Sequence, residues 1–316
     1  MNARTSERRV FPDAPEVRFT PVDVLIIVAC AFAAFLLVGP YRWAPGAATS
    51  AISFFLFALG PLVLRTLESY FPRQRPLAFL ANFWLLPVVG LGHGALCPLV
   101  TAVTPGLHDA QLATLDQRLF GAQASVVLGQ LSPPWLTEVL LLCYYGYFLW
   151  PLVLGASLYF SGKRAAFDEY LLALGLFFAF NFTFYSLVPA IGPRYFLFDA
   201  FPQTLQGLWL TPYLESAMRQ PGFTRDCFPS GHTGATLVVL FYALRFERRV
   251  FRIMLLPGLG LILATLVGRF HYASDVLCAL PLLVSVVGLA MAWTHYTASR
   301  RASVERPVDM DAIVRS

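Results

Sequence analysis

CFPSGHTGATLVVLFYALRFERRVFRIMLLPGLGLILATLVGRFHYASD, residues 227–275, decides the fold of this chain. Two apolar runs, 230–245 and 250–268, flank a turn, RFERRVFR (245–252), that carries four arginines. Neither run alternates polar and apolar residues as the strands of a membrane barrel must. Each instead approaches the roughly 20 residues a helix needs to cross a bilayer, although the first is short. His232 opens the first run and His271 follows the second, 39 residues later. Two crossings with a tight turn return the chain to the face it left, so both histidines are expected at one membrane surface.

Working outward, further apolar runs lie near 21–39, 47–65, 78–101, 136–160, 169–190 and 272–296. The expectation is an all-α polytopic membrane helical bundle of about eight transmembrane helices. At 19 residues the first run exceeds the ~7–15 of a signal-peptide core, so it reads as an uncleaved span. Composition agrees. Of 316 residues 57% are hydrophobic and 13% charged, and the mean hydropathy is +0.63. A soluble domain carries about 25% charged residues, which excludes a cytosolic enzyme, a disordered chain and a coiled coil. The net charge of +5 does not point to nucleic acid, because no soluble segment interleaves basic clusters with aromatics. Seventeen of the 23 basic residues fall on the side of the N-terminus, which by the positive-inside rule places both termini in the cytoplasm. The reading divides the chain into a cytoplasmic tail (1–20), three N-terminal spans (21–101), a catalytic membrane core with extracytoplasmic loops (102–296) and a cytoplasmic tail (297–316). All the basic residues but Lys163 are arginine, a skew that suits a GC-rich genome and a bacterial inner membrane.

Three segments on the extracytoplasmic face hold the chemistry: PAIGPRYF (189–196), CFPSGHTG (227–234) and GRFHYASD (268–275). Asp275 follows His271 by four residues, one helical turn, and can accept the Nδ1 proton and leave Nε2 as a nucleophile. A phosphorus ester tolerates attack by nitrogen, and phosphoryl transfer needs cations around the phosphate and an acid for the leaving oxygen. Arg194, Arg225 and Arg269 are the candidate cations, since a guanidinium matches phosphate as a fork. Ser230 and the Gly231 amide would lie at a helix N-terminus, a ready anion site, beside His232 as the acid. These loops hold no carboxylate cluster of metal-site type, so neither metal nor cofactor is expected. His93, His108 and His295 read as structural, and Arg42, Arg118 and Arg219 as headgroup anchors. Cys227 reads as a small apolar filler. Gly90, Gly92 and Gly94, with Gly258 and Gly260, read as points of close helix packing.

Over roughly 110–295 the chain resembles the type 2 phosphatidic acid phosphatase superfamily, integral-membrane enzymes acting on lipid phosphates. Its pattern is K-x6-RP, PSGH and SR-x5-H-x3-D. PSGH at 229–232 matches in full, His271 and Asp275 match the third motif, and Arg194 matches the first. The resemblance implies a core like that family's six-helix fold. It makes His271 the nucleophile of a phosphohistidine intermediate, Asp275 its partner, His232 the general acid, and Ser230 and Gly231 phosphate contacts. Leu187, Tyr195, Ala264 and Thr265 depart from the pattern. Arg269 two positions before His271, HYASD, LDQRLFG (115–121) and CYYGYF (143–148) are instead similar to the branch containing inositol phosphorylceramide synthases. That branch implies a metal-independent transfer of a phospho-headgroup between membrane lipids, such as phosphoinositol onto ceramide or diacylglycerol. The alternative is hydrolysis of phosphatidic acid or a polyprenyl diphosphate. A lipid or anion transporter is the remote reading, because the chain has no visible repeat and no charges deep in its spans, Asn181 and Glu138 being the nearest candidates.

Overall fold

A computed structural model describes residues 15–201, 204–218 and 225–304. Arg4, Arg8, Arg9, Arg219, Arg306 and Arg315 of the charge map lie outside these residues. The described chain is helical, with no strand among its elements. α1 (Pro21–Val38) and α2 (Ala47–Tyr70) form the first hairpin. Thr20 and Asp23 cap α1 reciprocally, and the buried Asp23 carboxylate also holds Arg65 of α2 at 2.8 Å. Arg65 is therefore an internal tie between the first two helices.

The expected single span over 78–101 is broken into α3 (Arg75–Phe83), α4 (Leu85–Ala95) and α5 (Cys97–Val103), with a bend of 46° between the first two. Pro87 and Pro98 explain the breaks, because each lacks an N–H and its ring crowds the carbonyl four residues back. α6 (Asp109–Phe120) and α7 (Ala124–Leu131) fill the long loop that follows. The segment Pro134–Phe160 is long and apolar enough to span, but a 3₁₀ turn (Gly146–Phe148) divides it into α8 (Pro134–Tyr145) and α9 (Leu149–Phe160). α10 (Arg164–Leu187) leads through α11 (Pro193–Phe196) and α12 (Leu210–Met218) to α13 (Gly231–Phe246), α14 (Arg248–Val267) and α15 (Ala273–Val304).

Among the described residues six helical segments are long and apolar enough to cross a membrane, or seven if the bent α3–α4 pair is one span. The sixth expected crossing, α13, has only 16 residues, about 24 Å of helix. Most of its side chains are buried against neighbouring helices rather than facing outward. The protein is a multi-pass, all-helical membrane bundle, its core running from α1 through α10 to α13 around Tyr170, Phe177 and Tyr242. Gly258 packs against Thr236 and Leu240, and Gly260 against Cys143, as expected of close-packing glycines. Gly90 and Gly94 do not, since a Cβ at either would meet open space.

Candidate active site

His271 sits in the short link between α14 and α15, only 4% exposed. The link is tight: the backbone N–H groups of Phe270 and His271 both donate to the Thr265 carbonyl, at 2.9 and 3.1 Å. The His271 Nδ1 lies 3.0 Å from the Cys227 carbonyl and 3.2 and 3.3 Å from the two oxygens of Asp275. A carbonyl can only accept, so these partners assign the proton to Nδ1 and leave the lone pair on Nε2. Burial alone pushes the imidazole pKa down. The charge and hydrogen bond of Asp275, with the more distant Asp226 and the Cys227 carbonyl, outweigh burial and hold it above the ordinary histidine value. Asp275 is itself anchored by the Tyr272 N–H at 3.1 Å and the Cys227 thiol at 2.8 Å. Burial, then the Asp275 carboxylate, push that thiol well up, which keeps its proton in place to donate. Cys227 is thus no mere filler, since both its carbonyl and its thiol hold the His271–Asp275 pair.

The second histidine arrives on the first turn of α13. Ser230 caps this helix, accepting from the Thr233 N–H at 3.3 Å and donating to the Thr233 hydroxyl at 3.0 Å, while its own N–H donates to the Asp275 carbonyl. Its hydroxyl is therefore engaged in the cap. Gly231 is required by space: a Cβ there would lie 2.6 Å from the Tyr185 hydroxyl and 3.0 Å from Asn181 Oδ1. The His232 ring lies 4.4 Å from Tyr144 and 4.3 Å from Tyr147, centroid to centroid, the tyrosines being presented by the break between α8 and α9. It stands 5.9 Å from the His271 ring, so the two histidines meet as their spacing implies.

Of the three candidate arginines, two reach this region. The Arg194 N–H donates to the Arg269 carbonyl at 2.8 Å, which fastens the 192–196 segment to the His271 link. Gly192 permits this approach, because with φ of +83° a Cβ would fall 2.5 Å from the Phe270 carbonyl oxygen. The Arg194 guanidinium is ion-paired with Glu215 of α12 and lies 5.3 Å from the Phe270 ring. Arg269, in the left-handed region at φ +65°, stacks its guanidinium 4.1 Å over Phe201, and burial lowers its pKa. Arg225 is elsewhere, donating to the carbonyls of Thr104 and Pro105 at 3.4 and 3.1 Å. Its neighbour Asp226 bonds His93 of α4 at 2.8 Å. His93, read as structural, therefore joins the N-terminal helices to the segment that holds His271.

Sequence reasoning also missed what α6 does. Asp109 and Asp116, seven residues apart and hence on one helix face, are both fully buried. Asp109 accepts from the N–H groups of Ile191 and Gly192 and from the Tyr272 hydroxyl at 2.8–2.9 Å. Asp116, within LDQRLFG, accepts from the Ala273 and Ser274 N–H groups at 2.8 and 2.7 Å, capping α15 just ahead of Asp275. Glu138 performs the same service for α12, accepting from the N–H groups of Leu208, Leu210 and Thr211. Asp116→Ala strands two buried donors, each costing ~1–3 kcal/mol. A lower thermal-inactivation midpoint together with reduced activity is expected, and an unchanged midpoint would contradict the cap's importance.

Cys227, His271 and Asp275 bring one donor atom each within 4.8 Å of one another, the grouping most like a metal site among the described residues. Those atoms are already spent on one another and on the Cys227 carbonyl, so a cation would have to break the bonds that orient His271. EDTA is expected to leave turnover unchanged, and loss of turnover restored by a divalent metal would overturn this.

No curated protein and no solved structure matches the chain. The family model described as the PAP2 superfamily matches residues 110–289, from the second residue of α6 to the middle of α15. The match covers more than half the chain and contains PSGH, His271 and Asp275, and the chain belongs to the PAP2 superfamily, whose activity on lipid phosphates is of phosphatase or phosphotransferase type.

Proposed function

We propose that the protein transfers a phospho-headgroup from a phospholipid to a lipid alcohol, such as ceramide or diacylglycerol, through a covalent intermediate on His271. The observation that carries this reading is the buried imidazole whose Nδ1 is held by Cys227 and Asp275, with a second imidazole 5.9 Å away. His271 Nε2 attacks phosphorus and forms the N–P bond while the P–O bond to the diacylglycerol moiety breaks. His232 gives the departing oxygen its proton. The acceptor hydroxyl then surrenders its proton to His232 and attacks phosphorus, which regenerates His271. The Gly231 and His232 amides at the start of α13, with Arg194 and Arg269, stabilise the charge on the phosphoryl oxygens. A phosphate reaching Arg194 has to share or displace Glu215. Ser230 acts by capping α13.

Transfer is favoured over hydrolysis by the surroundings of the histidines. His271 is almost inaccessible and His232 lies between tyrosine rings, surroundings that withhold water from an intermediate. The inositol phosphorylceramide synthase-like motifs point the same way; the charge map favours an extracytoplasmic site, and the arginine skew a bacterial inner membrane. The test is purified protein in detergent with a headgroup-labelled phospholipid, with and without ceramide or a diacylglycerol whose acyl chains differ from the donor's. Label in a new acceptor-dependent lipid is expected. Release of free headgroup phosphate regardless of acceptor would establish the hydrolase instead.

The raised pKa of His271 sets a pH dependence. Only the form with an unprotonated Nε2 attacks, so activity rises with pH through that pKa, placing the acid limb of kcat/KM above the ordinary ~6.5. Asp275→Asn removes the main opposing charge. It is expected to move the limb to lower pH while lowering the plateau, and a limb that stays in place would exclude His271 as the titrating group.

A further inference from the structure

A cavity of about 320 Å³ lies away from the histidines, between α1, α2, α4, α5 and α10. Four of its five helices precede residue 110 and so lie outside the family match. Its floor is made of residues shielded from the exterior, among them Cys30, Ala33, Val88 and Phe178. Ala29 and Phe32 of α1 and Thr183 and Leu187 of α10 are lining residues that face outward, so the cavity opens sideways between these two helices. Along α10 it extends from Gly175 to Leu187, about 18 Å of helix.

The wall offers a ligand almost nothing polar. Its two hydroxyls, Thr183 and Ser186, donate to the carbonyls of Ala179 and Phe182 in their own helix, at 2.8 and 3.3 Å. Water has too few partners to settle there, and an empty cavity costs stability in proportion to its volume. A slot that opens laterally from membrane-spanning helices meets one abundant apolar filler, the hydrocarbon of the bilayer. We infer that the slot is a binding site for one hydrocarbon chain of a membrane lipid, built by the N-terminal helices against α10.

The placement suits a lipid whose headgroup lies level with the active site. The opposite face of α10 carries Phe177, Asn181 and Tyr185 against Gly234, Pro229 and Gly231 of the PSGH region. Beyond Leu187 the chain turns into the segment that bears Arg194. A chain in the slot is thus one helix away from the histidines, on a wall both sites share.

The test places the full chain in phosphatidylcholine nanodiscs doped with a phosphatidylcholine carrying a mid-chain diazirine, followed by irradiation and peptide mass spectrometry. Adducts are expected on floor residues Cys30, Ala33 or Phe178 as well as on outward residues Val28 and Phe35. Ala179→Trp fills the slot and should cut floor adducts about tenfold while those on Val28 and Phe35 persist. Ala33→Phe is the second variant should the first fail to fold. Absent floor adducts, or floor and outward adducts falling in parallel, would overturn the inference. His271→Ala should keep the floor adducts, so the slot is tested independently of the phosphotransfer reading.

Discussion

His271→Ala is expected to lose at least about 10⁴-fold in kcat while inserting and folding normally, as removal of a covalent nucleophile does elsewhere. The loss should not be shared by KM, because the phosphate contacts at α13 and Arg194 are untouched. Folding should survive because the links that shape the 268–275 segment come from other groups: the Thr265 carbonyl, the Asp116 cap and the Tyr272–Asp109 bond all persist. The Asp275 carboxylate keeps the Cys227 thiol and the Tyr272 N–H. His271→Gln is the milder variant and should be equally inactive, since an amide nitrogen supplies no nucleophile. Retained turnover in a folded His271→Ala protein would remove this residue from the chemistry.

His232→Gln carries the second largest effect, a loss of about 10²–10⁴-fold, the usual contribution of a positioned general acid–base. Its expected signature differs from that of His271→Ala. The nucleophile remains, so the first step proceeds slowly, more so with donors whose leaving alcohol is less acidic. The second step also lacks its base, so the covalent intermediate should build up. Wild-type rates in His232→Gln would exclude it from proton transfer. An equally complete loss with no intermediate would assign it a structural role between Tyr144 and Tyr147.

Much of this architecture was legible in the chain because its signals are local. Continuous apolar runs mark the helices, and 39 residues between His232 and His271 imply a return to the same face. Asp275, one turn after His271, needs no tertiary information. The breaks at Pro87 and Pro98 were also readable, and the apolar content of 78–101 masked them. What supports the histidines was not readable, because it is long-range. Nothing near Asp116 says that it will cap a helix starting at Ala273, and nothing near Cys227 says that its carbonyl will fix the tautomer of His271. His93 meets Asp226 across 133 positions, and Arg225, beside the key segment in sequence, faces the 104–105 turn. Arg269 stays beside His271 with its guanidinium over Phe201, whereas proximity in sequence to the motif was a poor guide for Arg225.

The central claim is a covalent bond between phosphorus and His271, and trapping it is the most direct measurement. His232→Gln is incubated with a phospholipid carrying ³²P in its headgroup, quenched in base, and mapped by peptide mass spectrometry. The expected result is an acid-labile, base-stable adduct on the peptide containing His271, discharged by adding the lipid alcohol and missing from the His271→Ala, His232→Gln double variant. Label on another residue, or product formed by His232→Gln with no protein-bound phosphorus at any time, would contradict it.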